Sequence, residues 1–86
     1  MPAQDVLVIG LGYVGLPLAV EFAQVGFQVT GIDLDPSKVQ NVQRGHSHVE
    51  DIPDTVLGPL VKDGLITAQA NYKGCGKFDA IFIAGG

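Results

Sequence analysis

Tryptophan is absent from this 86-residue chain, methionine and cysteine occur once each, and only five residues are basic. Each scarcity excludes something. A single thiol, Cys75, allows no internal disulfide and no cysteine metal cluster, and it fits a reducing, cytoplasmic setting. Five scattered lysines and arginines against nine acidic residues give a net charge of −4, so there is no basic patch for a nucleic acid or an anionic membrane surface. No apolar run reaches the roughly 20 residues that a membrane-spanning helix needs. The stretch from Val6 to Val20 lacks charge, but glycines and Pro17 interrupt it, Asp5 and Glu21 bound it, and no basic residue precedes it as in a signal peptide. His46 and His48 stand two apart, near Glu50 and Asp51. That spacing does not place them on one helix face, and no further His or Cys completes a ligand set, so they read as polar loop residues rather than a metal site.

What is abundant is glycine, twelve in all, and three of them carry the pattern that organises the chain. The apolar run Val6-Leu7-Val8-Ile9 leads directly into Gly10-Leu11-Gly12-Tyr13-Val14-Gly15. A second apolar run, residues 27–32, ends at Asp33. Strand, Gly-x-Gly-x-x-Gly turn, helix and a following acidic residue, in that order, describe a dinucleotide-binding unit. Gly10 allows the tight turn, Gly12 lets a pyrophosphate approach the backbone, and Gly15 lets the helix pack on the sheet. The helix that opens there offers N–H groups and the positive end of its dipole to a phosphate.

Asp33 has two readings, an acceptor for the adenosine ribose hydroxyls or the N-cap of the next helix. Asp35-Pro36 makes the better cap, which leaves Asp33 free for the ribose. A carboxylate there repels a 2′-phosphate, and no arginine follows at 34 or 35, so the cofactor expected is NAD rather than NADP.

Periodicity and punctuation predict strands over 5–10, 27–33, 65–68 and 79–84, and helices over 13–25, 36–44 and 54–62. The last helix contains an unfavourable Gly58-Pro59 pair. Residues 46–53 and 70–77 read as loops. Right-handed crossovers from a central first strand give an α/β parallel sheet of order 3-2-1-4, the nucleotide-binding half of a Rossmann fold, with the fourth strand at an open edge.

Val8-Ile9-Gly10-Leu11-Gly12-Tyr13-Val14-Gly15-Leu16-Pro17-Leu18-Ala19 resembles the N-terminal signature of the UDP-glucose/GDP-mannose dehydrogenase family. Gly31-Ile32-Asp33-Leu34-Asp35, Lys38-Val39, Gly45 and Phe78-Asp79-Ala80-Ile81-Phe82-Ile83 look like later landmarks of the same family. The segment from His46 to Ile52 looks more like the branch that oxidises UDP-N-acetylhexosamines. The resemblance implies a cytoplasmic, NAD-dependent enzyme that oxidises the C6 hydroxyl of a nucleotide sugar twice, through a thiohemiacetal on a cysteine, to make uronates for polysaccharides. It implies Gly10, Gly12, Tyr13, Val14 and Gly15 at the pyrophosphate, and Asp33 and Lys38 at the adenosine ribose. Lys38 reads equally as a solvated lysine in a first helical turn.

The departures are as informative. After the fourth strand the family continues Val-Pro-Thr-Pro, whereas here Gly85-Gly86 stand in the Val-Pro places. The family's catalytic cysteine, lysine and asparagine belong to later motifs, and Cys75 in Lys73-Gly74-Cys75-Gly76-Lys77 does not correspond to that cysteine. The expectation is an incomplete NAD-binding half-domain spanning 1–86, without the substrate and dimerisation domains, that meets a UDP-sugar only as part of a full-length homologue. Two alternatives stand beside it. One is a fragment of another hydroxyacid-type dehydrogenase, and the other is a non-enzymatic nucleotide-binding or interaction module; on any of these readings the exposed fourth strand, residues 80–84, is expected to self-associate.

Overall fold

A computed structural model describes residues 4–84. The elements are β1 (Asp5–Ile9), α1 (Gly15–Gln24), β2 (Gln28–Ile32), α2 (Pro36–Gln43), α3 (Asp54–Lys62), β3 (Ile66–Gln69) and β4 (Ala80–Ile83). The four strands are parallel and lie in the order β3-β2-β1-β4, as the sequence predicts.

Register sorts the strand side chains into two faces. Val6, Val8, Val29, Ile66 and Ala68 share one buried cluster with Leu16, Ala19, Val20 and Ala23 of α1, Val39 and Val42 of α2, and Leu57 of α3. All three helices therefore cover the same face. This follows from chain direction: two successive right-handed crossovers that step the same way, β1 to β2 to β3, put their helices on one side. Phe82 of β4 extends this face, its ring 4.9 Å from that of Phe22 on α1. The opposite face carries the register row Thr67, Thr30, Leu7 and Ile81, and beyond it Gln69, Ile32, Ile9 and Ile83. Among the described residues no helix covers it, because the return from β3 to β4 over residues 70–79 contains none.

Local chemistry sets the element ends. Gly26 closes α1 with a φ of 101°, and Asp35 caps α2 by accepting from the Ser37 amide, with Pro36 at the first helical position. The Gly58-Pro59 pair does not break α3. Gly58 lies where α3 meets the end of α2: a Cβ on Gly45 would come within 2.8 Å of the Gly58 Cα, so this crossing is close enough to touch backbone to backbone. The predicted start of α1 is corrected, since residues 13 and 14 belong to the turn and the regular helix begins at Gly15. Each strand is shorter than its apolar run by a residue or two, except that β3 reaches Gln69, one residue past its predicted end.

Candidate cofactor site

β1 delivers the chain to Gly10, whose φ of 97° is open to glycine and strained for other residues, and whose N–H donates to the Ile32 carbonyl at 2.7 Å. The turn is thus tied to the end of β2 from its first residue. Leu11 is held on both sides. Its N–H donates to Asp33 Oδ2 at 2.7 Å, and its carbonyl accepts from the His48 ring. The Leu11 side chain is fully buried and packs over Gly31, where a Cβ would meet it at 2.5 Å. Gly15 opens α1 with no space for a side chain, because a Cβ there would lie 1.5 Å from the Gly10 carbonyl oxygen.

The donors that follow have no protein acceptor. Leu16 N–H donates to the Gly12 carbonyl and Leu18 N–H to the Val14 carbonyl. Among the described residues, the N–H groups of Gly12, Tyr13, Val14 and Gly15 make no hydrogen bond to a carbonyl or side chain. α1 has no side-chain cap, in contrast to α2, and no acidic residue in its first turn. Successive N–H donors at the positive end of a helix dipole are the chemistry that holds a phosphate, so the residues present fit the pyrophosphate of a dinucleotide.

A cavity of about 550 Å³ opens at the carboxyl ends of the strands, lined by Ile9, Gly10, Ile32, Asp33, Leu34, Lys38 and Tyr72 among others. A second, of about 270 Å³, lies between the glycine turn and α2 and is lined by Gly12, Tyr13, Asp35, Lys38, Asn41 and His48. Lys38 lines both. The structure therefore brings Gly10, Asp33 and Lys38 to one cavity and Gly12, Tyr13 and Lys38 to the next. Val14, the helix N-cap, and Gly15 line neither; Val14 is exposed and Gly15 is buried in the turn.

Asp33 is not the free carboxylate that the capping argument predicts. Its Oδ2 accepts from Leu11 N–H at 2.7 Å and its Oδ1 from Asp35 N–H at 2.9 Å. Each carboxylate oxygen has a second lone pair, so a ribose hydroxyl remains within its acceptor capacity. Asp35, beside it, has its carboxyl held below the ordinary aspartate range, first by the Ser37 hydroxyl and then by the Ser37 amide.

Sequence reasoning missed three contributors. Asn71 and Tyr72 line the larger cavity just past the end of β3, a place that the strand-end rule for open α/β sheets points to. His48, read as a polar loop residue, is half-buried against the glycine turn; no local signal announces a bond across 37 residues. Cys75 is a half-buried thiol that lines neither cavity. Among the described residues no group of three or more His, Cys, Asp and Glu side chains is placed to hold a metal ion, and no helix is long and apolar enough to cross a membrane.

Residues 4–86 match the model of the UDP-glucose/GDP-mannose dehydrogenase family, NAD binding domain. The chain belongs to this family. Within it, the chain is 36% identical over 84 residues to a UDP-glucose 6-dehydrogenase of Bacillus subtilis, covering 95% of the chain and 19% of that protein. It is 40% identical over 71 residues to the UDP-N-acetyl-D-mannosamine dehydrogenase of Escherichia coli K12, covering 80% of the chain and 17% of that protein. The structure superposes on a UDP-glucose dehydrogenase from Pyrobaculum islandicum with a TM-score of 0.83 at 33% identity, over 95% of the chain and 19% of that one. It superposes on the GDP-mannose dehydrogenase of Pseudomonas aeruginosa with a TM-score of 0.85 at 28% identity, over 94% and 19%. The chain thus spans about a fifth of the relatives it matches, and the part it matches is the NAD-binding domain.

Proposed function

We propose that this chain is the NAD-holding part of a nucleotide-sugar 6-dehydrogenase, and that residues 1–86 alone bind NAD weakly and oxidise nothing. The carrying observation is the row of acceptor-free amides at residues 12–15 beside a cavity that Asp33 lines. In this reading the amides of Gly12, Tyr13 and Val14 receive the pyrophosphate. Gly10 and Gly15 shape the turn, Asp33 accepts from the adenosine ribose, and Lys38, between the two cavities, balances charge. NAD bound there supplies the hydride acceptor for oxidation of a sugar C6 hydroxyl. Asp33 and Asp35 together disfavour a 2′-phosphate, which supports NAD over NADP. In a complete family member the substrate is a UDP-sugar, with the His46 to Ile52 segment favouring an N-acetylhexosamine, and the setting is the cytoplasm. The catalytic cysteine, lysine and asparagine of the family have no counterpart at Cys75 or elsewhere in this sequence, which supports inactivity.

Titration of the chain with NAD tests the reading. Affinity is expected near the millimolar range, about −4 kcal/mol. Asp33→Ala should weaken it severalfold. Equal binding by both proteins, or a preference for NADP, sinks the assignment. NADH formation above blank with UDP-glucose, UDP-N-acetylglucosamine or UDP-N-acetylmannosamine would overturn the claim of inactivity.

A further inference from the structure

The loop between α2 and α3 sends one side chain into the glycine turn. His48 Nε2 lies in hydrogen-bond contact with the Leu11 carbonyl oxygen. A carbonyl only accepts, so Nε2 must carry the proton, and Nδ1 then presents a lone pair. Nδ1 is buried and has no hydrogen-bond partner among the described residues. A protonated Nδ1 would leave a buried donor unmet, so burial and the Leu11 contact select the same tautomer. The ring also forms part of the wall of the cavity that Gly12, Tyr13 and Lys38 line.

Leu11 is the middle residue of Gly10-Leu11-Gly12, and both its neighbours are glycine, the most deformable residue type a turn can have. Asp33 fixes the Leu11 N–H, but the peptide that follows, joining Leu11 to Gly12, carries the first of the acceptor-free amides. The carbonyl of that same peptide is the group His48 holds. Fixing the carbonyl at one end of a planar peptide fixes the direction of the N–H at its other end. The next unpaired donors, on Tyr13 and Val14, lie on the two peptides that come after it.

We propose that His48 is a positioning residue of the cofactor site, setting the Leu11–Gly12 peptide so that the turn's amides converge on a pyrophosphate. This rests on the cofactor reading above and names a residue of the distal loop as part of it. His48 touches the turn at the Leu11 carbonyl, and its effect is specific to the phosphate part of the ligand, leaving the Asp33 end of the site alone.

The test compares ADP, which carries a pyrophosphate, with adenosine, which does not, on the full isotope-labelled chain, followed by backbone amide shifts. His48→Phe keeps a ring and removes the donor; His48→Gln can place its Nε2 near the same point. His48→Phe is expected to weaken ADP about 5- to 10-fold, the loss of one well-placed hydrogen bond, with adenosine unchanged within about twofold. His48→Gln should restore ADP affinity to within about twofold of the unmodified chain. Equal losses for ADP and adenosine, no loss for ADP, or a Gln variant no better than Phe would overturn the proposal. If His48→Phe does not fold, ring nitrogen shifts of the unmodified chain decide, because a dominant Nδ1–H tautomer is incompatible with the Leu11 contact and the Nε2–H tautomer is required by it. An unmodified chain that binds neither ligand overturns the cofactor reading and this one together; binding of both without discrimination among the variants overturns this one alone.

Discussion

At Gly15 the constraint is absolute in a way that few single positions are. A methyl group there would occupy the space of the Gly10 carbonyl oxygen, with backbone on both sides of the clash, so no rotamer change relieves it. Gly15→Ala is expected to cost more than about 4 kcal/mol, which exceeds the whole stability of a domain this small. Loss of dispersed amide resonances in the variant would show it; a folded Gly15→Ala protein with NAD affinity intact would contradict the geometry. Asp33 is constrained differently. It joins two amides, Leu11 and Asp35, to the end of β2, and so it braces the turn as well as serving the ribose role proposed for it. Asp33→Asn keeps one acceptor where two are needed and should lower unfolding free energy by about 1–3 kcal/mol, read from urea melts.

Among the elements, α2 and α3 both begin at a carboxylate whose stabilising contacts are lost in acid, Asp35 and Asp54. Asp54 accepts from the Ser47 amide at 2.7 Å and contacts His46 Nδ1 at 2.7 Å, tying the loop before α3 to its first turn. These contacts, the Ser47 amide foremost and His46 second, hold the Asp54 carboxyl below the ordinary aspartate value of 3.8. A folded-state pKa below the unfolded one means the contribution is complete above that ordinary value and disappears as pH falls through the lowered one. The Asp54 contribution should therefore hold on acidification toward pH 4 and be lost below it, and Asp54→Asn should remove that part of the fall in acid melts while leaving the part due to Asp35. The elements themselves were legible from sequence wherever a periodic apolar run met a turn signal: Gly26, Asp35-Pro36 and Gly45 end or begin helices where predicted. The helix over Gly58-Pro59 was harder to read, because its justification is a backbone contact with Gly45 that no local pattern encodes. The same holds in the site. The placing of Gly10, Gly12 and Asp33 around the ends of β1 and β2 follows from spacing, whereas the bond of Asp33 to Leu11 and the reach of His48 are contacts between segments far apart in sequence.

For the whole molecule, the helices cover one sheet face and, among the described residues, the far side of β4 has no neighbouring strand. Ile81 is 58% exposed and Ile83 78% exposed, on a strand that contains no charge. Unpaired edges flanked by apolar side chains template pairing with another chain. The chain is expected to self-associate through β4, and Ile81→Lys to reduce that association. Sedimentation of the unmodified chain as a stable monomer at tens of micromolar would refute this.

The strand order has a further consequence, in time rather than in space. β1 is the first strand to leave the ribosome, yet one of its two neighbours, β4, is the last of the four. β2 emerges about 20 residues behind β1, but the register partner of Val6 on the other side is Ala80. At ordinary rates of translation that interval is roughly 4 to 15 s, far longer than hairpins or helices take to form. During it Val6, Leu7 and Val8, all buried in the finished sheet, have one flank open. Until β4 emerges β1 is thus an edge strand, beside β2 alone for most of that interval and in a three-stranded sheet only once β3 has followed, which makes the nascent chain a natural client for a chaperone that binds extended apolar segments.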